Sequence, residues 1–348
     1  MKFINHVKPV DPRKATGTVA EIYAEAGRDF GRLPEPVMMW SPHEGLLAAG
    51  WAVLRETLLA GEVPRARKET IAASVSAGLR CPWCVDAHTT MLYATGDAGT
   101  AAAILANDDP VGENAPLVAW ARGTAAPSGP PPPFGRPEAA ECIGTAMAFH
   151  FTARMVLVLL DETFLPGGPR TQSLLRRAAG RALARTARRT HPPGLSVQRL
   201  PQSPLPADLA WAAANPPIAR AFAAMTDCLD NADHLAEPSR AAVQHALQAW
   251  HGEPKPLSSS WTAEYTDHLP EELRPSTRLA LLTSLAPHQV TDADVAAARQ
   301  LLTTDEALVA ALAWAAWSTA RRIGSWTTQP VDAPTIGTVS VDNTPPCV

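Results

Sequence analysis

The placement of proline constrains this chain more than any other feature. Its 34 prolines and its glycines fall mostly between periodic segments rather than inside them. Proline ends or opens helices because it lacks an N–H donor and has a fixed φ, so the stretches between are read as helices. Asp11-Pro12 and Gly17 precede a first helix with Val19, Ile22, Tyr23 and Ala26 on one face. Pro34, Pro36 and Pro42 bracket a turn, and a second helix is expected from about Glu44 to Leu59. Pro64 stands where an N1 proline belongs, opening a third helix towards Gly78, and the next should end at Gly96. Ala, Leu, Arg and Glu dominate these segments, and sustained alternation of Val, Ile or Thr is scarce. The expected fold class is all-α.

A chain of 348 residues exceeds what a single core usually supports, so one large or two modest domains are expected. Residues 127–137 include Pro130 to Pro133 in succession and read as a stiff connector. A long helix should follow, from about Glu138 to Leu160. An internal echo supports two related halves: Ser41-Pro42-His43, a helix and Pro64 resemble Asn215-Pro216-Pro217, a helix and Pro238. Ala280 to Val290 likewise resembles Ser74 to Val85 in outline. The expected division is a helical domain over 1–160, an Arg/Pro-rich connector over 161–206, a degenerate helical half over 207–326 and a flexible tail over 327–348. With no cysteine between Leu229 and Pro346, the second half lacks any counterpart of the dithiol described next.

Charged residues make up 18% and the net charge is −4, which gives no reason to expect a nucleic-acid partner. The N-terminal residues carry no apolar run of secretory type, and the longest uninterrupted apolar stretches fall far short of a membrane span. A cytoplasmic protein without a membrane partner is expected. Five cysteines occur, and only Cys81 and Cys84 are close together; in a reducing compartment such a pair is catalytic or metal-binding more often than structural.

The segment Cys81-Pro82-Trp83-Cys84-Val85-Asp86-Ala87-His88 concentrates the chemistry. On a helix, positions 81, 84 and 88 lie within about 60° of one another, so one face carries both sulfurs and the imidazole. Pro82 suits N1, which makes Cys81 the N-cap and puts Cys84 in the first turn, at the positive end of the helix dipole. That position and the Cys-x-x-Cys spacing are expected to lower the thiol pKa values. The histidine can accept the proton of Cys84 and return it. Zinc is the rival reading, because two cysteines and a histidine supply three ligands; no cluster elsewhere offers a fourth, so neither a metal nor a cofactor is expected.

Glu69, eleven further residues, then Cys81-x-x-Cys84-x-x-x-His88 resembles the AhpD-like alkylhydroperoxidase branch of the carboxymuconolactone decarboxylase superfamily. The likeness covers about residues 1–160, and the echo in the second half is similar to longer two-lobed members. The resemblance implies an all-α fold and a thiol-dependent, peroxiredoxin-type reduction of hydroperoxides or disulfides. Cys84 would meet the peroxide, Cys81 would resolve the sulfenic acid, and His88 with Glu69 would relay the proton. It implies self-association too, and regeneration by an external thiol reductant that the sequence does not name. One departure is Trp83, which stands where the family can carry a second histidine and which weakens the expected relay. A non-enzymatic redox sensor or scaffold and a decarboxylase-type lyase are the alternatives.

Among weaker features, His150 and Arg154 lie four apart on the long helix and either line the site or serve as a core histidine and a surface arginine. The arginines of 170–189 read as a basic helix with a solvated face. Cys142 and Cys228 read as small buried hydrophobes.

Overall fold

The computed structural model describes residues 4–161, 164–232 and 234–327. The expected tail beyond Thr327, Cys347 included, lies outside the described residues. Among these residues the regular structure is helical, with two isolated bridges (Ile4 with Leu160, Ala60 with His191) and no strand. The α-helices run α1 (Gly17–Phe30), α2 (Glu35–Met38), α3 (Glu44–Leu54), α4 (Arg65–Gly78), α5 (Pro82–Thr95), α6 (Ala98–Ala106), α7 (Ala115–Gly123) and α8 (Arg136–Leu159). They continue as α9 (Pro169–Ala187), α10 (Pro216–Asp230), α11 (Glu237–Ala249), α12 (Ala263–Thr266), α13 (Arg274–Leu285), α14 (Asp292–Ala298) and α15 (Asp305–Thr327).

The elements follow their local signals closely. In α1 the buried residues are Val19, Ile22, Tyr23 and Ala26, the stripe read from the period. Pro64 is the N-cap of α4, one residue earlier than an N1 proline. The second expected helix divides: α3 ends at Leu54 and a wider π-type turn covers Arg55–Leu59. Arg55 there reaches Asp29 at 2.9 Å, and Glu56 accepts from the Ser196 hydroxyl at 2.6 Å and Gly194 N at 2.7 Å. These are tertiary partners that no local pattern announces.

The main core runs from Ile4 to Trp326, and two smaller apolar clusters lie beside it, one around Leu92 and Ile104 and one around Met91, Ala94 and Ala187. Helix α8 is buried along almost its whole length. It is long and apolar enough to cross a membrane, but 94% of that window is packed inside the fold, as in a central core helix. It packs on α15, and α3 packs on α10. An aromatic chain joins the turn before α3 to α8, α15 and α10: Trp40 to Phe151 at 5.7 Å, Phe151 to Trp317 at 5.8 Å and Trp317 to Phe222 at 5.2 Å between ring centroids. Offset and edge contacts of this kind each contribute about 0.5–1.5 kcal/mol beyond area burial. His43 Nδ1 accepts from Leu46 N at 3.1 Å to cap α3, and Asn215 caps α10 through Ile218 N at 3.3 Å. After α13, the segment Pro287–Gln289 forms a short 3-10 turn, whereas Pro82 opens the fourteen-residue α5 after α4.

Helix α9 is seated closely on α5. A Cβ on Gly180 would stand 2.7 Å from the Cβ of Tyr93, so only glycine permits this approach. Arg176 is not on a solvated face: it is buried and donates to Asp86 Oδ1 at 2.6 and 3.1 Å. Burial of both groups favours the pair over water because each satisfies the other.

Candidate active site

The site is built on the bend between α4 and α5. Arg80 adopts a left-handed backbone, φ 54°, which reverses the chain, and Cys81 N then donates to Ser76 O at 3.0 Å. Cys81 is the N-cap of α5 with Pro82 behind it, and Gly96, at φ 98°, closes the helix. This is the arrangement the sequence foretold, and it fixes the relative heights of residues 81, 84 and 88.

Cys81 and Cys84 are free thiols with their sulfurs 2.7 Å apart, and both residues are buried. On the neighbouring helix, Glu69 is wholly buried and lies 2.6 Å from His88 Nδ1 through Oε2. Its other oxygen accepts from Arg65 Nε at 2.6 Å. Burial alone would raise the Glu69 pKa, but the charges of Arg65 and His88 and their hydrogen bonds reverse the effect and hold it below the ordinary value. An ionised Glu69 keeps the proton of His88 on Nδ1 and leaves Nε2 free for exchange. Below this layer, Lys68 pairs with Glu141 in the core and donates to Ala60 O at 2.5 Å, locking α4 against α8.

One expectation is reversed. The Cys84 thiol is pushed well above its ordinary value, chiefly by burial and then by the adjacent Cys81 sulfur; the Ser76 hydroxyl and the Cys84 amide oppose this without prevailing. The helix-terminus effect is a local term of about 0.3–1 kcal/mol at the surface. Desolvating a thiolate costs more and depends on what packs over the helix, so it outweighs the dipole here.

Glu69, Cys84 and His88 open onto one cavity of about 110 Å³. Its walls are apolar: Leu54 from the end of α3, Leu58 from the π turn, Phe149 from α8, Met91 from α5, and Phe164 and Leu183 from the α9 region. Phe149 stands edge-on to the His88 ring at 4.4 Å, and Trp83 meets Phe164 edge-on at 4.9 Å. Trp83 is buried, and its indole N–H finds no acceptor among the described residues. Cys81 is absent from this cavity wall, although it touches Cys84.

His150 and Arg154 do not line the cavity. Neither reading of Arg154 as pocket or surface residue holds: it is buried, donates to Ser284 O at 2.9 Å and to His150 O at 2.7 Å, and burial lowers its pKa to about 9. His150 is a core histidine bound to Thr124 Oγ1 at 2.8 Å, driven towards its neutral form by burial. Cys142 is a buried thiol pushed up to about 12, and Cys228 is only half-buried, at about 11. Sequence reasoning missed Arg65, Ser76 and the covering residues Phe164 and Leu183. Arg65 was in reach of it, as an i,i+4 partner of Glu69. The others carry no local signal.

No group of three or more His, Cys, Asp or Glu side chains among the described residues is arranged to hold a metal ion. Compared with known proteins, the chain matches no protein-family model. It is 65% identical over 328 residues to a curated protein of Mycobacterium tuberculosis named as an alkyl hydroperoxide reductase, a match that spans 94% of this chain and 95% of that relative.

Proposed function

This chain belongs to the AhpD-like alkylhydroperoxidase family, and from that premise we propose that it reduces an apolar hydroperoxide at Cys84 and closes a Cys81–Cys84 disulfide. The observation that carries the reading is the shared cavity: a thiol, an imidazole and its buried carboxylate face one apolar space, with the second thiol 2.7 Å behind the first.

The chemistry follows from the pKa order. With its thiol pKa raised, Cys84 rests protonated, so the nucleophile forms when His88 takes the proton as substrate enters. The Cys84 thiolate attacks the terminal peroxide oxygen, the O–O bond breaks, and the alkoxide leaves as the alcohol with the proton from His88. Cys84 is then a sulfenic acid. Cys81 then attacks the Cys84 sulfur, its thiol proton passes to the departing hydroxyl, water leaves, and the disulfide forms. An external thiol reductant returns both sulfurs to the reduced state. Trp83 supplies an unpaired donor on the cavity wall, fit to hold a peroxide oxygen in place of the missing histidine. The apolar walls favour an alkyl hydroperoxide over a disulfide substrate. The same reading carries a cytoplasmic setting, self-association, and two lobes over 1–160 and 207–326 joined by 161–206.

The test is consumption of cumene hydroperoxide with dithiothreitol by wild type, Cys84→Ser and Cys81→Ser, with peptide mass spectrometry after one equivalent of peroxide. Cys84→Ser should consume none, and Cys81→Ser should stop at the sulfenic acid. Equal consumption by all three sinks the reading. A disulfide that forms without turnover would make the dithiol a sensor instead.

A further inference from the structure

The two sulfurs touch each other but face different spaces. Cys84 lines the apolar cavity, and Cys81 does not. Cys81 lines a second, open depression of about 480 Å³, and Cys84 is absent from that one. The depression lies among α4, α5 and α6, with Ala77, Val85 and Ile104 as its apolar floor. Its polar lining comes from Arg80 and Asn107 in left-handed positions, Gln172 of α9, and Asp86, whose carboxylate is already paired with Arg176. Resting on the function proposed above, we propose that the thiol reductant enters here and attacks Cys81, so that peroxide and reductant use opposite sides of the dithiol.

Exchange geometry supports this independently of which reductant serves. A thiolate displaces a disulfide through a nearly collinear arrangement of three sulfurs, so it must approach the attacked sulfur from the side away from its partner. Attack on Cys84 from beyond Cys81 is impossible, and attack on Cys84 from the apolar cavity has to pass through the substrate space. Attack on Cys81 from the depression points the displaced electron pair towards Cys84. The S–S bond breaks, Cys84 leaves as thiolate, and it takes its proton beside His88, which shares its cavity. The reductant is then joined to Cys81 as a mixed disulfide. A second thiol of the same dithiol reductant attacks its own linked sulfur, releases Cys81 and departs as a disulfide. Two electrons enter and two thiols are restored. Arg80 is exposed on the rim and favours a dithiol bearing negative charge.

The experiment separates the half-reactions. Wild type, Ala77→Phe and Arg80→Glu are each oxidised with one equivalent of cumene hydroperoxide, and the rate of Cys81–Cys84 disulfide formation is followed by acid quench and thiol alkylation. Each disulfide form is then reduced by neutral dithiothreitol or by anionic dimercaptosuccinate. The oxidative rates should agree within about twofold. Ala77→Phe fills the depression and should slow reduction by both dithiols by about tenfold or more. Arg80→Glu should slow dimercaptosuccinate severalfold more than dithiothreitol, a comparison within one variant that a general folding defect does not produce. If the disulfide forms and both variants are reduced at wild-type rates, the entry route is wrong while the peroxidase reading stands. If no disulfide forms in wild type, the peroxidase reading itself fails, and this inference with it.

Discussion

Replacing Glu69 by Gln tests the architecture of the site most directly. The ionised carboxylate is wholly buried and accepts from two partners, Arg65 Nε and His88 Nδ1, each at 2.6 Å. Each bond of this kind contributes about 1.5–3 kcal/mol. Glutamine keeps one acceptor oxygen and turns an NH₂ towards the other donor, so one bond is lost. The Arg65 side chain, 11% exposed, is left without its counter-charge. Together these give an expected destabilisation of about 2–4 kcal/mol at neutral pH, below the full penalty for stripping a buried pair because Arg65 keeps some water. The sign of the pH dependence is fixed by the lowered Glu69 pKa. A carboxylate whose folded pKa is depressed stabilises the fold above its unfolded value, about 4.3, and loses that contribution as pH falls through the folded value. The difference between wild type and Glu69→Gln in urea unfolding should therefore stay constant from about pH 8 to about pH 6 and shrink below about pH 4.3. A variant as stable as wild type at pH 7, or a gap that widens on acidification, would refute the account of Glu69 as an ionised, doubly bonded carboxylate.

Other consequences are as accessible. Because burial raises the Cys84 thiol, its alkylation by a small neutral reagent, read on the Cys84 peptide, should climb about tenfold per pH unit from 7 to 9; a plateau below pH 8 contradicts the raised value. Asp86→Ala strands Arg176 and should cost about 3–5 kcal/mol, with trypsin cutting faster within α9; adding Arg176→Ala should restore part of the loss, and no recovery in the double variant argues against the pair. Gly180→Ala forces α9 off Tyr93 and should also expose α9 to trypsin, whereas an unchanged cleavage rate would show that the close approach is not needed. Phe164→Ala removes a wall of the cavity and should raise the KM for cumene hydroperoxide severalfold while leaving hydrogen peroxide nearly unaffected; equal effects on both would deny the wall a part in substrate choice.

What the sequence made legible was local. The stripe of Val19, Ile22, Tyr23 and Ala26, the cap at Cys81 and the stop at Gly96 are fixed by a period, a proline and a left-handed glycine, each readable within a few residues. The alignment of Cys81, Cys84 and His88 needed nothing more than helix geometry. The elevation of the Cys84 thiol was invisible because it depends on a cover contributed by distant segments. Phe164, Leu183 and Phe149 wall the cavity that Cys84 lines, from α8 and the α9 region, and α9 is held down by a pair 90 positions apart, Arg176 with Asp86. Arg154 misled for the same reason: a charged residue four places from a histidine reads as surface until the backbone oxygen of Ser284 arrives to receive it.

The main core has a consequence for how damage to this protein will read. Trp317, whose indole N–H binds Thr226 Oγ1 at 3.0 Å, belongs to the same packed body as Cys81 and Cys84. A substitution in α10 or α15 that unfolds this body at the assay temperature will silence the thiols as surely as removing one. A survey of inactive variants will therefore draw a footprint much larger than the chemistry, covering helices that never approach a sulfur. Only measurements normalised to the folded fraction will shrink that footprint back to the few side chains around the bend.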